Sequence, residues 1–176
     1  KKNNLNFVIE GESFDASKII DNIMDSNNGS PSIFDNLNSK IAVSIKKTYI
    51  DDVNYINSLN GYINFNNNKI VDLKLESAFP NSKKINLTIK TNNNSETVTR
   101  LSTANPKPLI KRYDFIKGFE EGDLDFYSSK KGGVSNSLLV IDNFKVKEVP
   151  IFAKLLSLAS LQGIADLLTG EGIRFT

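Results

Sequence analysis

The sequence predicts a mainly β (α+β) fold, a curved antiparallel β-meander, which the family resemblance given below makes an open β-groove. Three observations carry this reading. Apolar residues repeat with period two through the middle of the chain, as in Val71, Leu73 and Leu75 and again in Ile85, Leu87 and Ile89. Polar turn clusters, Pro80-Asn81-Ser82 and Asn92 to Ser95, separate such runs at short intervals. Helical spacing is confined to three places: near 15–25, a short piece near 106–113, and a capping helix near 150–168. Strands with one apolar and one polar face make a sheet covered on one side only.

Each element has its own reason. Leu5-Asn6-Phe7-Val8-Ile9 reads as a strand with Leu5, Phe7 and Ile9 on one face, ended by Gly11. A helix follows, capped by Asp15, with Ala16, Ile19, Ile20, Ile23 and Met24 at helical spacing. Phe14 and Ile19 fit a hydrophobic staple around that cap. Ser26 to Ser32 is a loop. From Ser39, Ile41, Val43 and Ile45 alternate with Ala42, Ser44 and Lys46. After a break at Asp51-Asp52, Tyr62-Ile63-Asn64-Phe65 leads into the turn Asn66-Asn67-Asn68. Val71, Leu73 and Leu75 then point one way, and Asp72, Lys74 and Glu76 the other. In the next strand Ile85, Leu87 and Ile89 oppose Asn86, Thr88 and Lys90. Thr97 to Leu101 returns.

Asn105-Pro106 starts a short helical turn carrying Leu109, Ile110 and Tyr113, and Pro108 keeps it short. Gly122 to Tyr127 is a strand in which Leu124 and Phe126 flank Asp125. Lys130-Lys131-Gly132-Gly133 is a hairpin connection. The return strand, Ser137 to Val146, carries Leu139 and Ile141. Pro150 suits a helix's first turn. Ile151, Phe152, Leu155, Leu156, Leu158 and Ala159 fall in one arc after it. Gly163 loosens the pattern, and Ile164, Leu167 and Leu168 resume it. Gly170 fits the position after a helix, and Ile173-Arg174-Phe175 reads as a strand.

Composition bounds the function classes. At 176 residues the chain is one domain or a piece of a larger one, with 39% hydrophobic and 24% charged residues. The net charge is +2 and the lysines are scattered among acidic residues, so nucleic acid is not an expected partner. The chain begins Lys1-Lys2 and its sole methionine is Met24, which reads as an excised or processed segment. Lys154, Gln162 and Asp166 interrupt the most apolar stretch, so no membrane span is expected.

Without histidine or cysteine, the Ser-His-Asp and Cys-His arrangements, most zinc sites and disulfides are excluded. Asp123 and Asp125 share a strand face, as paired carboxylates would, but alternation equally makes them a solvated face. Asp51-Asp52 lacks calcium-loop spacing, and no helix follows Gly132-Gly133 to make a phosphate cradle. Ser102 and Thr103 have no base to activate them. The expectation is a non-enzymatic protein with no catalytic residue, metal or cofactor.

The end of the chain resembles a known family. Its carriers are Asp142-Asn143-Phe144-Lys145-Val146, Val149-Pro150, Leu155 to Leu161, Gly163-Ile164, Asp166-Leu167-Leu168 and Gly170-Glu171-Gly172-Ile173 with Phe175. This run, strongest over residues 134–176, is similar to the AsmA-like family, in the YhdP-type branch related to TamB. Upstream, Glu121-Gly122 stands where that branch has a glycine pair, and two prolines occupy the short helix. The resemblance implies a single AsmA-like domain fragment, residues 1–176 of a longer chain. It implies a periplasmic conduit that moves phospholipids between inner and outer membrane through an apolar β-groove. The full protein would be anchored in the inner membrane by an N-terminal helix beyond this chain.

Under that reading acyl chains meet a lining of Ile41, Val43, Ile45, Val71, Leu73, Leu75, Ile85, Leu87, Ile89, Leu124, Phe126, Leu139 and Ile141. Ile151, Phe152, Leu155, Leu156, Leu158, Leu167 and Leu168 would form a helix plugging or lining the groove. The other open reading is a structural or protein-interaction β module whose apolar face is packed by its own helices.

Overall fold

Nine strands form one hydrogen-bonded sheet whose spatial order is the order of the sequence. They are β1 (Leu5–Asp15), β2 (Ser39–Tyr49), β3 (Tyr55–Asn66), β4 (Lys69–Ala78), β5 (Lys84–Thr91), β6 (Thr97–Thr103), β7 (Phe119–Lys131), β8 (Val134–Val146) and β9 (Ile173–Phe175). Among the described residues two helices interrupt them, α1 (Ser17–Met24) after β1 and α2 (Lys107–Arg112) after β6. These elements come from a computed structural model that describes residues 5–24, 38–67, 69–112, 116–147 and 173–175. The mainly β fold is therefore as the alternation predicts, and the sheet is open, with β1 and β9 at its two ends.

The expected helix near 150–168, with Ile151, Phe152, Leu155, Leu156, Leu158, Leu167 and Leu168, lies outside the described residues. The strand expected after it is β9, which pairs antiparallel with β8 through Phe144↔Phe175 and Val146↔Ile173.

β1 differs from expectation in two ways. It does not stop at Gly11 but continues to Asp15. It also pairs parallel to β2, through Phe7↔Ile41, Ile9↔Val43 and Gly11↔Ile45. A parallel neighbour needs a long crossover, and residues 16–38, which include α1, supply one. β2 to β5 form the expected antiparallel meander.

Asp15 still serves the helix, one position earlier than a standard cap. Its Oδ1 accepts hydrogen bonds from the Ser17 backbone N–H at 2.9 Å and the Ser17 hydroxyl at 2.6 Å. Those bonds hold its carboxyl below the usual range. The Phe14–Ile19 staple does not form as expected: Phe14 belongs to β1, and both side chains are exposed. Among the described side chains of α1, Ile20 turns inward.

Turn chemistry places the meander's ends. Asp51 Oδ1 accepts from the backbone N–H groups of Val53 and Asn54 at 2.8 and 2.6 Å, closing the β2–β3 connection. Ser82 and Ser95 adopt positive φ in the β4–β5 and β5–β6 turns. Gly132 and Gly133 both have positive φ, which the tight β7–β8 turn requires.

The chain divides into two compact units. The first comprises residues 1–102 and 126–138, and the second residues 103–125 and 139–176. In the first, Ile50, Ile56 and Phe79 form a buried cluster against which Ile20, Leu59 and Ile85 pack. The second buries Ile110, Phe119, Leu124 and Val146, with the Phe119 and Phe144 rings stacked at 6.2 Å between centroids. Pro106 and Pro108 are buried beside Ile110 at the start of α2, where prolines cost the helix no hydrogen bond. Lys107 and Lys147 both approach Glu120, at 2.7 and 3.6 Å.

Candidate functional site

The candidate site is one face of β1 to β5 in the first unit. Registration assembles it rung by rung. Directly opposed residues in neighbouring strands point to the same side. Phe7, Ile41, Ile63, Leu73 and Ile89 make one rung. Ile9, Val43, Gly61, Leu75 and Leu87 make the next. Nine of the predicted lining residues, Ile41, Val43, Ile45, Val71, Leu73, Leu75, Ile85, Leu87 and Ile89, lie in these five strands. Ile41, Ile45 and Leu73 are buried, the other six are half-buried, and Phe7 and Ile9 are exposed at the β1 edge.

Two irregularities shape this face. Phe65 pairs with Ile70 while Asn64 pairs with Asp72, so Val71 is the extra residue of a bulge rather than a regular member of the row. A second bulge lies between Asn57 and Asn60 of β3. Ser58 there has φ 55°, Ser77 Oγ donates to the Asn57 carbonyl at 2.6 Å, and Asn60 Nδ2 donates to the Ser58 carbonyl at 2.8 Å.

Below this level the burial alternation steps by three residues instead of two. In β2 the buried positions run Ser39, Ile41 and Ile45, then Thr48, with Ile50 buried just after the strand. Gly11, Ile45 and Leu59 form the last rung above the step, and Phe14, Thr48 and Ile56 the first below it. The step keeps the apolar side continuous, because Ile56 and Leu59 then share the cluster of Ile50, Phe79 and Ile85. Alternation alone misses Phe14, Ile50, Ile56, Leu59, Ile63 and Phe79. The signal for Phe14, Ile56 and Leu59 is the repeated three-residue spacing in neighbouring strands, Gly11–Phe14, Ile45–Thr48 and Ile56–Leu59.

The opposite side is polar. Lys46 pairs with Glu12 at 2.6 Å and Lys74 with Glu76 at 2.8 Å, both exposed and worth little to stability. The Glu76 carboxylate raises the Lys74 pKa. Tyr62 Oη donates to Asp72 at 3.3 Å, and the Lys40 ammonium lies 5.3 Å from the Tyr62 ring centroid. Desolvation first, and the Asp72 charge second, raise the Tyr62 hydroxyl above its usual range. Lys47 lies over the rings of Tyr49 and Tyr55, at 4.7 and 4.0 Å. Asp72, Asn86 and Thr88, expected to be fully wet, are half-buried. In β5 registration rather than burial separates the two faces.

The remaining predicted lining residues lie elsewhere. Phe126 is half-buried in the first unit. Leu124 is buried in the second, where Leu139 is exposed and Ile141 half-buried. Asp123 and Asp125 are exposed. Thr103 is buried, and its Oγ1 accepts from the Asn105 backbone N–H at 3.1 Å, a turn role. Among the described residues no three metal-ligating side chains converge, and no helix is long and apolar enough to cross a membrane. No family model, curated protein or solved structure matches this chain.

Proposed function

We propose that this chain is a segment of a periplasmic conduit, related to the AsmA-like proteins, that carries phospholipid acyl chains along the apolar face of β1 to β5. The observation that carries the reading is a continuous apolar face across five strands, half-buried over Val43, Leu75, Leu87 and Ile89 and exposed at Phe7 and Ile9. Apolar contact there contributes about 25 cal/mol per Å² removed from water, without any specific polar partner. Such a face needs a lining rather than a constellation, which accounts for a function without catalytic residues.

A second reading has one observation in its favour. Ile20 of α1 packs on Ile50, Ile56 and Phe79, so part of the face is covered by the chain's own helix. A structural or interaction module would complete that coverage.

Photo-crosslinking of phospholipid in the full-length protein separates the two. Probes at Leu75 and Leu87 should capture lipid, whereas probes at the exposed Lys74 and Lys90 should not. Leu87→Lys should abolish capture, since an unpaired charge in an apolar setting is costly. A thermal melt accompanies it, and loss of capture with a native-like melt supports the conduit. Equal capture at Lys74 and Leu75, or none at either, removes it.

A further inference from the structure

Exposed large apolar side chains gather on two strands of the open sheet, β1 and β8. In β8 every position from Val134 to Val140 is exposed, with Val134 at 65% and Leu138 at 60%. β9 pairs with β8 only over Phe144–Val146, so among the described residues no strand lies against the outer edge of Val134–Asn143. Such an edge offers a row of unpaired N–H and C=O groups to another strand.

Charge, proline, a bulge or short length normally protects an edge from pairing. β1 is protected: Glu10, Glu12 and Asp15 are acidic and none of its residues is basic, so two copies of β1 would repel. β8 differs. From Val134 to Ile141 it has no charge, no proline and no glycine, a composition that favours pairing with its own kind. Positive φ at Asn143 ends the regular edge.

The pattern is also self-compatible. Where two copies of one strand pair antiparallel about a two-fold axis, one residue faces its own copy, and the middle of Val134–Asp142 is Leu138. With Leu138 on the axis, Asn136 faces Val140, Ser137 faces Leu139, Ser135 faces Ile141 and Val134 faces Asp142. Like charges nowhere oppose each other. Leu138 and Val140 share one side of the strand and are both exposed, so each Leu138 meets its copy directly and the other Val140 diagonally.

We propose that β8 is a dimerisation edge, at which two copies of this chain pair antiparallel through Val134–Asp142 with Leu138 at the two-fold axis. A pair of this symmetry is closed, so the edge is used up rather than propagated. The pairing does not depend on the lipid reading and uses a different strand from the β1 to β5 face.

Sedimentation equilibrium of the full chain should show a reversible dimer. Leu138→Lys sets two like charges face to face and should weaken that dimer about tenfold or more. Because Leu138 is exposed, the melt of the dilute variant should match the native one. Val8→Lys, the corresponding change on exposed β1, should leave the dimer intact. The chain has no cysteine, so a single introduced thiol reports the register. Under mild oxidation Leu138→Cys should give a disulfide-linked dimer, since directly opposed residues lie about 4.5–5.5 Å apart between Cα atoms, within disulfide reach. Ser135→Cys, equally exposed, should not, because its own copy would lie roughly 20 Å away along the strand at about 3.3 Å per residue. A monomer at every concentration overturns the proposal, as does a dimer that Leu138→Lys leaves intact or that Val8→Lys disrupts as much. Crosslinking at Ser135→Cys equal to that at Leu138→Cys overturns it too.

Discussion

Gly61 is the residue whose identity the fold most plainly requires. Its φ is +148°, and a Cβ there would lie 1.9 Å from the Lys74 carbonyl oxygen. Strand β4 can approach β3 this closely only because no side chain intervenes. Gly61→Ala should cost on the order of 3 kcal/mol, combining backbone strain with a displaced strand. Gly132, also at positive φ but with open space around it, is the control. Its alanine variant should lose only about 1 kcal/mol. Urea denaturation of both variants checks this, and equal losses would show that the Lys74 approach is not the cause.

Glu120 makes a pH-dependent contribution at the same scale. The hydrogen bond from Lys107, with the charge of Lys147 beyond it, holds its carboxyl below the ordinary glutamate value of 4.5. A depressed folded-state value contributes stability above the unfolded value, and that contribution is lost as pH falls through the folded one. Glu120→Gln should therefore be less stable than the native protein at neutral pH, and the gap should narrow below pH 4.5. Both side chains are partly exposed, so the gap should also shrink with added salt. Denaturation midpoints of the two proteins across that range test the sign.

At the scale of elements, Ile20 is the side chain among those described in α1 that docks the helix. Ile20 packs on Ile50, Ile56 and Phe79, whereas Ile19, one residue earlier, is 41% exposed. Helical spacing makes both apolar, but only the docked face contributes. Ile20→Ser should cost about 1–2 kcal/mol, less than a full core deletion because Ile20 is only half-buried. Ile19→Ser should change stability by less than about 0.5 kcal/mol. Amide exchange at Ile50 and Ile56 should quicken in the first variant alone, and matching effects would mean that α1 docks by a different face.

For the whole molecule, two compact units share strands β7 and β8, each unit taking part of both. Phe79, 2% exposed, anchors the first unit, and Ile110, fully buried, the second. Phe79→Ala should cost about 3–5 kcal/mol and Ile110→Ala about 2–5. Hydrogen exchange should rise chiefly in β2 to β5 for Phe79→Ala and in α2 for Ile110→Ala. Identical exchange maps would instead make the chain a single cooperative unit.

The amino-acid sequence by itself determined the period-two rows of β2, β4 and β5, the turns at Pro80–Ser82 and Asn92–Ser95, the Gly132-Gly133 hairpin and both described helices. Each is local: alternation and turn residues act over a few neighbours, so they are legible one strand at a time. The same rows delivered eight of the lining candidates to one face, Val71 being displaced by the bulge. Tertiary structure decided the rest. Leu5 to Ile9 reads as a strand in isolation, but its parallel partner depends on a crossover that no alternation encodes. Phe14, Thr48 and Ile56 joined the apolar face only because three strands step together, a shift set by pairing between strands rather than within any one. Thr48 and Ser39 look like ordinary strand residues in the sequence. Only packing buried their hydroxyls without partners, because burial is a property of what the neighbouring strands and α1 bring to the same side.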